Sequence, residues 1–282
     1  MFAILEILPK ETGRFARLRE RIHPPPLYLE EVKTTTRLPY YIIRAQERRT
    51  GIPWDEIAAM AGRCKTRMLP QAHVTFPPET GLTPFVPTKF PAMLLFNTAV
   101  SVLRCLNVSP SNFTCAVIDN QAAAASHIHK LIPFAQTITV CTQNTNQYIK
   151  TAAELFDEFG VSIIVSDDMR AAQKNLFTVS LSGDKDLFSG KGFTLTYKKH
   201  SHPKALSLGK IQVPEAFYLP PIEGISRFDF LCALYELCSV ESIKNLSCET
   251  LFYAEREMAI ETIGELIRAT FHLRQNEECG NS

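Results

Sequence analysis

Six polar side chains, Asp119, Asn120, Gln121, Thr142, Gln143 and Asn144, stand in two triplets directly after the short apolar runs FTCAVI and TITVC. Together they offer one carboxylate, four amides and a hydroxyl. All are hydrogen-bonding groups suited to a small polar ligand, and none forms a recognisable nucleophile or metal set. The same residues also suit a plainer task, with Asp119 and Asn120 capping one helix and Thr145 the next. A second group, Arg63, Lys65 and Arg67, puts three cations within five residues, an arrangement that suits an anion. His73, in a proline-rich stretch, is the histidine retained as an acid/base candidate, and no catalytic set can be assembled around it from residue order. His127 and His129 lie two residues apart on a helical stretch, hence on different faces, and do not share a metal. His200 and His202 flank a lysine-rich loop and read as solvated. The eight cysteines contain no C-x-x-C pair and no histidine at metal-ligand spacing, so thiols such as Cys105, Cys115 and Cys141 read as small hydrophobes. No metal is expected, and a reducing cytoplasm is the expected compartment.

The elements that must position these groups alternate between strand-length and helix-length segments. Strands are expected at Phe113–Ile118, Thr137–Cys141, Val161–Val165 and Leu176–Leu181, with helices at Gln121–Ile132, Thr145–Phe159 and Asp167–Lys174 between them. Continuous apolar runs such as SIIVS mark strands buried on both faces, hence a parallel sheet with crossover connections. Before it, Met1–Leu8 and Leu27–Thr34 read as strands, and Glu11–Ile22, Leu38–Arg49 and Pro53–Ala61 as helices. Residues 70–91 hold six prolines around a short strand candidate, Ala72–Phe76. Pro91 then opens a buried apolar helix to Leu106, too short and too polar at Asn97 and Arg104 for a membrane span. After the sheet come a strand at Phe193–Lys198 and a proline-rich crossing, 199–225. Ser226 caps a helix over Arg227–Cys238, and Ser247 caps a last one over Glu249–Leu273. That last helix carries an apolar stripe, Leu251, Met258, Ile263, Leu266, Ile267 and Phe271, suited to the core or to a homodimer seam.

Composition bounds the function without choosing it. The 282 residues carry a net charge of +1, 45% hydrophobic and 21% charged residues, as a globular protein of more than one domain would. Near-zero net charge argues against a nucleic-acid or membrane field over the whole surface. The first 70 residues are basic, with 13 Lys/Arg against 8 Asp/Glu, and residues 211–282 are acidic, with 5 against 12. The opening MFAILEILPKE is too short and too soon acidic for a signal peptide. Three parts follow: an N-terminal α/β lobe over 1–108, a sheet domain over 109–198, and returning helices over 199–282.

The alternation reads as an α/β fold with a Rossmann-like parallel sheet. In such a sheet the first turn ordinarily carries G-x-G-x-x-G, and the second strand ends in an acid for the adenosine ribose. Here the aligned turn is Asp119-Asn120-Gln121-Ala122-Ala123-Ala124, without glycine, and the second strand ends in Thr142-Gln143-Asn144. A carboxylate where a diphosphate would lie costs on the order of a few kcal/mol. The main expectation is therefore a degenerate nucleotide site that binds a small polar ligand or a protein partner and no cofactor, NAD and NADP included. Two fragments support an alternative. His73-Val74-Thr75-Phe76-Pro77 resembles the N-V-T-x-P of the shikimate dehydrogenases, and Asn97-Thr98 resembles their N-T-D. With the family's lysine position on Glu79 and its aspartate on Ala99, the resemblance implies a two-domain scaffold of that class that has lost catalysis, and the alternative function is a divergent two-domain NAD(P)-dependent oxidoreductase of that architecture. A third reading takes 53–69 as a helix-turn-helix, with Ala58, Gly62 and Met68 in its structural positions and the three cations toward DNA. Arg63 stands where that motif wants an apolar residue, and Pro70 ends its second helix early, so nucleic acid is not the expected partner.

Overall fold

A computed structural model describes residues 1–12, 22–34, 36, 38–107, 109–182, 190, 192–197, 199–213 and 222–280, with the backbone alone over 272–280. In chain order the strands and α-helices are β1 (Ala3–Leu8), β2 (Tyr28–Val32), β3 (Tyr40–Gln46), α1 (Trp54–Ala61), β4 (Met68–Pro70) and α2 (Lys89–Leu106). There follow β5 (Thr114–Ile118), β6 (Thr137–Cys141), α3 (Thr145–Phe159), β7 (Ile163–Ser166), β8 (Phe177–Ser180), β9 (Phe193–Thr196) and β10 (Ala205–Leu208). The chain ends with α4 (Arg227–Cys238), β11 (Thr250–Tyr253), β12 (Arg256–Ala259) and α5 (Ile260–Gly280). The expected helix Glu11–Ile22 falls largely outside the described residues. Contacts divide the chain into two units, Met1–Phe90 with Pro214–Lys244, and Pro91–Val213 with Asn245–Ser282. The apolar helix read with the first part of the sequence therefore packs, from Pro91 on, with the sheet of the second unit.

The first unit is built on a four-stranded sheet in the order β2-β3-β1-β4, parallel except for β2. Its centre corrects the sequence reading, because Leu38–Arg49 is not a helix. Tyr40, Ile42, Ile43 and Ala45 are all buried in β3, which lies between two strands and so loses the alternation that would have marked it. β-Branched and aromatic side chains keep their rotamers on a pleated sheet and lose them in a helix. Ala72–Phe76 is likewise no strand, and the fourth strand is β4 just before it. One face of the sheet, with Ala3, Leu5 and Ile43, packs with Ile57, Ala58 and Ala61 of α1. On the other face Phe2 stacks on Tyr40 at 5.2 Å, and Phe230 of α4 stands edge-on to both. Ser226 Oγ accepts the Asp229 N–H and caps α4 as the sequence predicts. Glu236 on the same helix accepts the N–H groups of Thr88, Lys89 and Phe90 at 3.0, 2.8 and 2.9 Å, closing the start of α2.

The helix-turn-helix reading fails in this unit. After α1 the chain makes a single 3-10 turn, Gly62–Cys64, and enters β4, so no recognition helix exists. Ala58 and Met68 belong to the core.

The second unit holds an eight-stranded sheet in the order β12-β11-β10-β9-β8-β5-β6-β7. The six strands from β10 to β7 are all parallel, and β11 and β12 extend the sheet antiparallel. The crossing 199–225 thus contains a strand, β10, that the prolines around it concealed. The expected helix Glu249–Leu273 is a hairpin followed by a shorter helix. Ala254 and Glu255 take φ of 46° and 67° and turn the chain between β11 and β12. Helix α2 contains the one described stretch long and apolar enough to cross a membrane, and 67% of it is buried in the protein, as a core helix is. α2 and α5 approach so closely that a Cβ on Gly264 would stand 2.6 Å from that of Cys105. Arg268 of α5 donates to the Cys105 and Leu106 carbonyls at the end of α2. Of the apolar stripe, Leu251, Ile263 and Ile267 are buried in this unit.

Candidate functional site at the carboxyl edge of the parallel sheet

Counted from β5, the parallel strands β7-β6-β5-β8-β9-β10 stand in the order 3-2-1-4-5-6. The order reverses between β5 and β8, and the crevice beyond their carboxyl ends is where such a sheet receives a ligand. Register places Ile118, Cys141, Ser166, Ser180, Thr196 and Ser207 in one row at that edge. Both polar triplets follow directly on this row, so the structure brings all six of their residues to one edge.

Their roles differ from those read in the sequence. Asp119 is 1% exposed and its carboxylate is turned inward. Oδ1 accepts the Gln121 N–H at 2.9 Å, while Oδ2 accepts the Ala124 N–H at 2.7 Å and the Tyr148 hydroxyl at 2.6 Å. Burial, together with the Asp119 charge, holds the Tyr148 phenol far above its ordinary range, so it remains a donor. The carboxylate is a caged strut of the turn, and it presents no charge to the crevice.

The turn around it takes the left-handed conformation without glycine. Ala122 has φ 56°, a conformation that costs an L-residue roughly 1–2 kcal/mol. With two of its N–H groups held by Asp119 and its path bent at Ala122, the segment does not start a helix at Gln121 as predicted. Its helical part runs from Ala125 to Phe134 and is 3-10.

The second triplet closes on the first. Thr142, fully buried, accepts the Asn144 N–H at 3.0 Å, and Asn144 Nδ2 donates to the Asn120 carbonyl. Gln121 and Gln143 face solvent. Asn120 Oδ1 is shielded from solvent and accepts no hydrogen bond, and the Thr196 hydroxyl at the end of β9 is also buried without a partner. A buried acceptor left unpaired costs roughly 1–3 kcal/mol, so Asn120 is a group that a ligand donor would satisfy.

The remaining candidates lie elsewhere. His73 is exposed in a turn of the first unit, and Arg63, Lys65 and Arg67 belong to that unit too. Asn97 and Thr98 support the second unit's core: Asn97 donates to the Leu246 carbonyl at 2.8 Å and accepts from Lys130 at 2.7 Å, while Thr98 Oγ1 accepts the Cys248 N–H at 3.0 Å. Burial lowers the Lys130 pKa. His127, beside the Phe96 ring, is brought down to about 4 by burial first and then by Lys130 and His129. Among the described residues no His, Cys, Asp or Glu cluster could hold a metal. Sequence reasoning missed Tyr148, although its spacing from buried Leu155, seven residues on, already marks the inner face of α3.

The class so defined is a doubly wound α/β protein with a Rossmann-like sheet. No family model matches the chain, and no curated protein matches it by sequence. Among solved structures it is similar to quinate dehydrogenase from Corynebacterium glutamicum in complex with NAD, at 8% identity and TM-score 0.30, over 70% of this chain and 80% of that one. It is also similar to L-tryptophan dehydrogenase from Nostoc punctiforme, at 11% identity and TM-score 0.32, over 69% and 62% of the two chains. A third is Thermococcus litoralis Delta(1)-pyrroline-2-carboxylate reductase in complex with NADH and L-proline, at 14% identity and TM-score 0.30, over 42% of this chain and only 40% of that one. These three are dehydrogenases and a reductase, two of them holding NAD or NADH, whereas the sequence reading expected a domain turned away from dinucleotides. The physical ground of that expectation falls, because Asp119 does not face the crevice.

Proposed function

We propose that the second unit is the nucleotide-binding domain of a divergent NAD(P)-dependent oxidoreductase. The observation that carries this reading is the strand order 3-2-1-4-5-6 in six parallel strands, with its polar row at the carboxyl edge. The residues at the switch point fit a dinucleotide in three respects. Ala122 supplies the left-handed turn that glycine ordinarily gives, Asp119 is withdrawn, and the unpaired Asn120 Oδ1, shielded from solvent in this structure, would accept a ribose hydroxyl once its side chain turns outward. Gln143, exposed after β6, would make the adenosine-side contact in lieu of an acid. When bound, the nicotinamide would supply hydride transfer, and the protein would supply position and polarity. The departure lies at the diphosphate, because the Gln121 and Ala124 N–H groups serve Asp119 and the following 3-10 segment offers a weak dipole. Binding weaker than that of a glycine-rich turn follows.

The test is a fluorescence titration of the whole protein with NADH and NADPH, competed by NAD and NADP. Saturable binding with a dissociation constant below about 1 mM, weakened roughly tenfold by Asn120→Ala, is expected. No saturation by either nucleotide would refute the reading.

A further inference from the structure

The first unit holds a cavity of about 350 Å³ whose chemistry the dinucleotide reading does not use. Its floor is one face of the four-stranded sheet, with Ala3, Tyr41 and Ile43, and its wall is the end of α1 with Met60. Leu29, on edge strand β2, is 49% exposed and lines it as well. The size is at the low end of small-molecule sites, which are largely apolar with a few placed polar groups. Here the placed charged group is Arg63, held at the cavity by Gly62, whose φ of 49° turns the chain out of α1. Among the described residues Arg63 makes no ion pair, nor do Lys65 and Arg67 just beyond it. An unpaired guanidinium at the mouth of an apolar hollow is complementary to one planar anion on an apolar body.

We propose that this cavity is a binding site for a small monocarboxylate with an apolar tail. The tail lies against Leu29, Ile43 and Met60, and the carboxylate is held by the Arg63 fork, with Lys65 and Arg67 adding attraction. The planar edge of a carboxylate matches the planar fork of Arg63, and the Met1 ammonium, which donates to the Leu237 carbonyl, stands at the same cavity. The proposal stands on the first unit alone and is independent of whether the second binds a dinucleotide.

The experiment follows the methionine methyl signals of the full-length protein by NMR during titration with hexanoate, hexan-1-ol, hexylamine and inorganic phosphate. Hexanoate is expected to move the Met1 and Met60 signals saturably, since both residues line the cavity. Hexanol and phosphate should bind at least tenfold more weakly, because each lacks one half of the complement, and hexylamine should not bind. Arg63→Gln, at an exposed position without an ion pair, should weaken hexanoate about ten- to a hundredfold. Leu29→Trp, which fills the hollow from the sheet edge, should abolish binding and leaves Arg63 intact. The proposal is overturned if hexanol or phosphate binds as tightly as hexanoate, if hexylamine binds, or if neither variant changes the affinity. A hexanoate titration that leaves both methionine signals unmoved overturns it as well.

Discussion

Replacing Tyr148 with phenylalanine removes one hydroxyl and keeps the ring, which makes it a test of the caged carboxylate. Tyr148 is fully buried, and its hydroxyl stands 2.6 Å from Asp119 Oδ2, an oxygen that otherwise accepts only the Ala124 N–H. A hydrogen bond to a charged group contributes roughly 1.5–3 kcal/mol, and a buried carboxylate that loses a donor has no water to replace it. Tyr148→Phe should therefore lower the stability of the protein by about 2 kcal/mol, or its melting temperature by roughly 4–8 °C. Urea denaturation followed by far-ultraviolet dichroism measures the loss. Asp119→Asn should cost a comparable amount, and the double variant should cost less than the sum by at least about 1 kcal/mol, since the two share one interaction. Tyrosine absorbance adds a spectroscopic check: in Asp119→Asn the Tyr148 phenol should ionise at lower pH than in the parent, with burial still holding it above the ordinary value. A Tyr148→Phe protein within 0.5 kcal/mol of the parent would mean that the carboxylate is solvated and free to meet a ligand. The inward-turned Asp119, and with it the fit of the crevice to a diphosphate, would then be wrong.

Two further outcomes follow from the same structure. Ala254 and Glu255 hold left-handed φ of 46° and 67° in a two-residue hairpin turn, where Asn-Gly is the favoured pair, so Ala254→Asn with Glu255→Gly should stabilise the protein by about 1 kcal/mol in urea denaturation. The His127 imidazole titrates near 4 when folded and near 6.5 when unfolded, so the native state binds fewer protons between these values. Its contribution is intact above pH 6.5 and is lost as the pH falls toward 4; allowing for the ring's partial exposure, about 1–2 kcal/mol of pH-dependent stability should vanish in His127→Gln, as seen by comparing urea midpoints at pH 7 and pH 4.5.

What was legible in the sequence follows from how each signal arises. The parallel core, β5 to β8, showed itself because apolar runs separated by helix-length segments point to crossover connections, although β7 (SIIVS in the sequence reading) is the edge strand, with Ile164 50% exposed, and is not buried on both faces. Helix α3 was read to the residue, its end set by Gly160 with φ 66°. The hairpin β11–β12 was mistaken for a helix for a geometric reason. Leu251 and Met258 pair across its two-residue turn, and their separation of seven is also two turns of a helix, so one periodicity serves both. Ala-Glu in the turn gave no Asn-Gly signature to decide between them. Strand β3 was mistaken because it is buried on both faces, and β10 because the residues around it are proline-rich.

The common edge of the six candidate residues was legible in the sequence, and their orientation was not. All six polar side chains do gather at the carboxyl edge, yet a one-dimensional string cannot say which way Asp119 turns. That direction is set by Tyr148, 29 residues away. The sequence argument treated the missing glycines as missing function. Glycine in such a turn supplies two separable things, a left-handed backbone and room for a diphosphate to approach. Ala122 shows that the first survives without glycine, at an energetic cost that the Asp119 network offsets through three hydrogen bonds. The second is reduced, since two of those bonds use the backbone donors a diphosphate would want. The turn thus commits to internal hydrogen bonds two backbone donors that a diphosphate would need. This is why nucleotide affinity, more than fold or strand order, is the quantity that decides the proposed function.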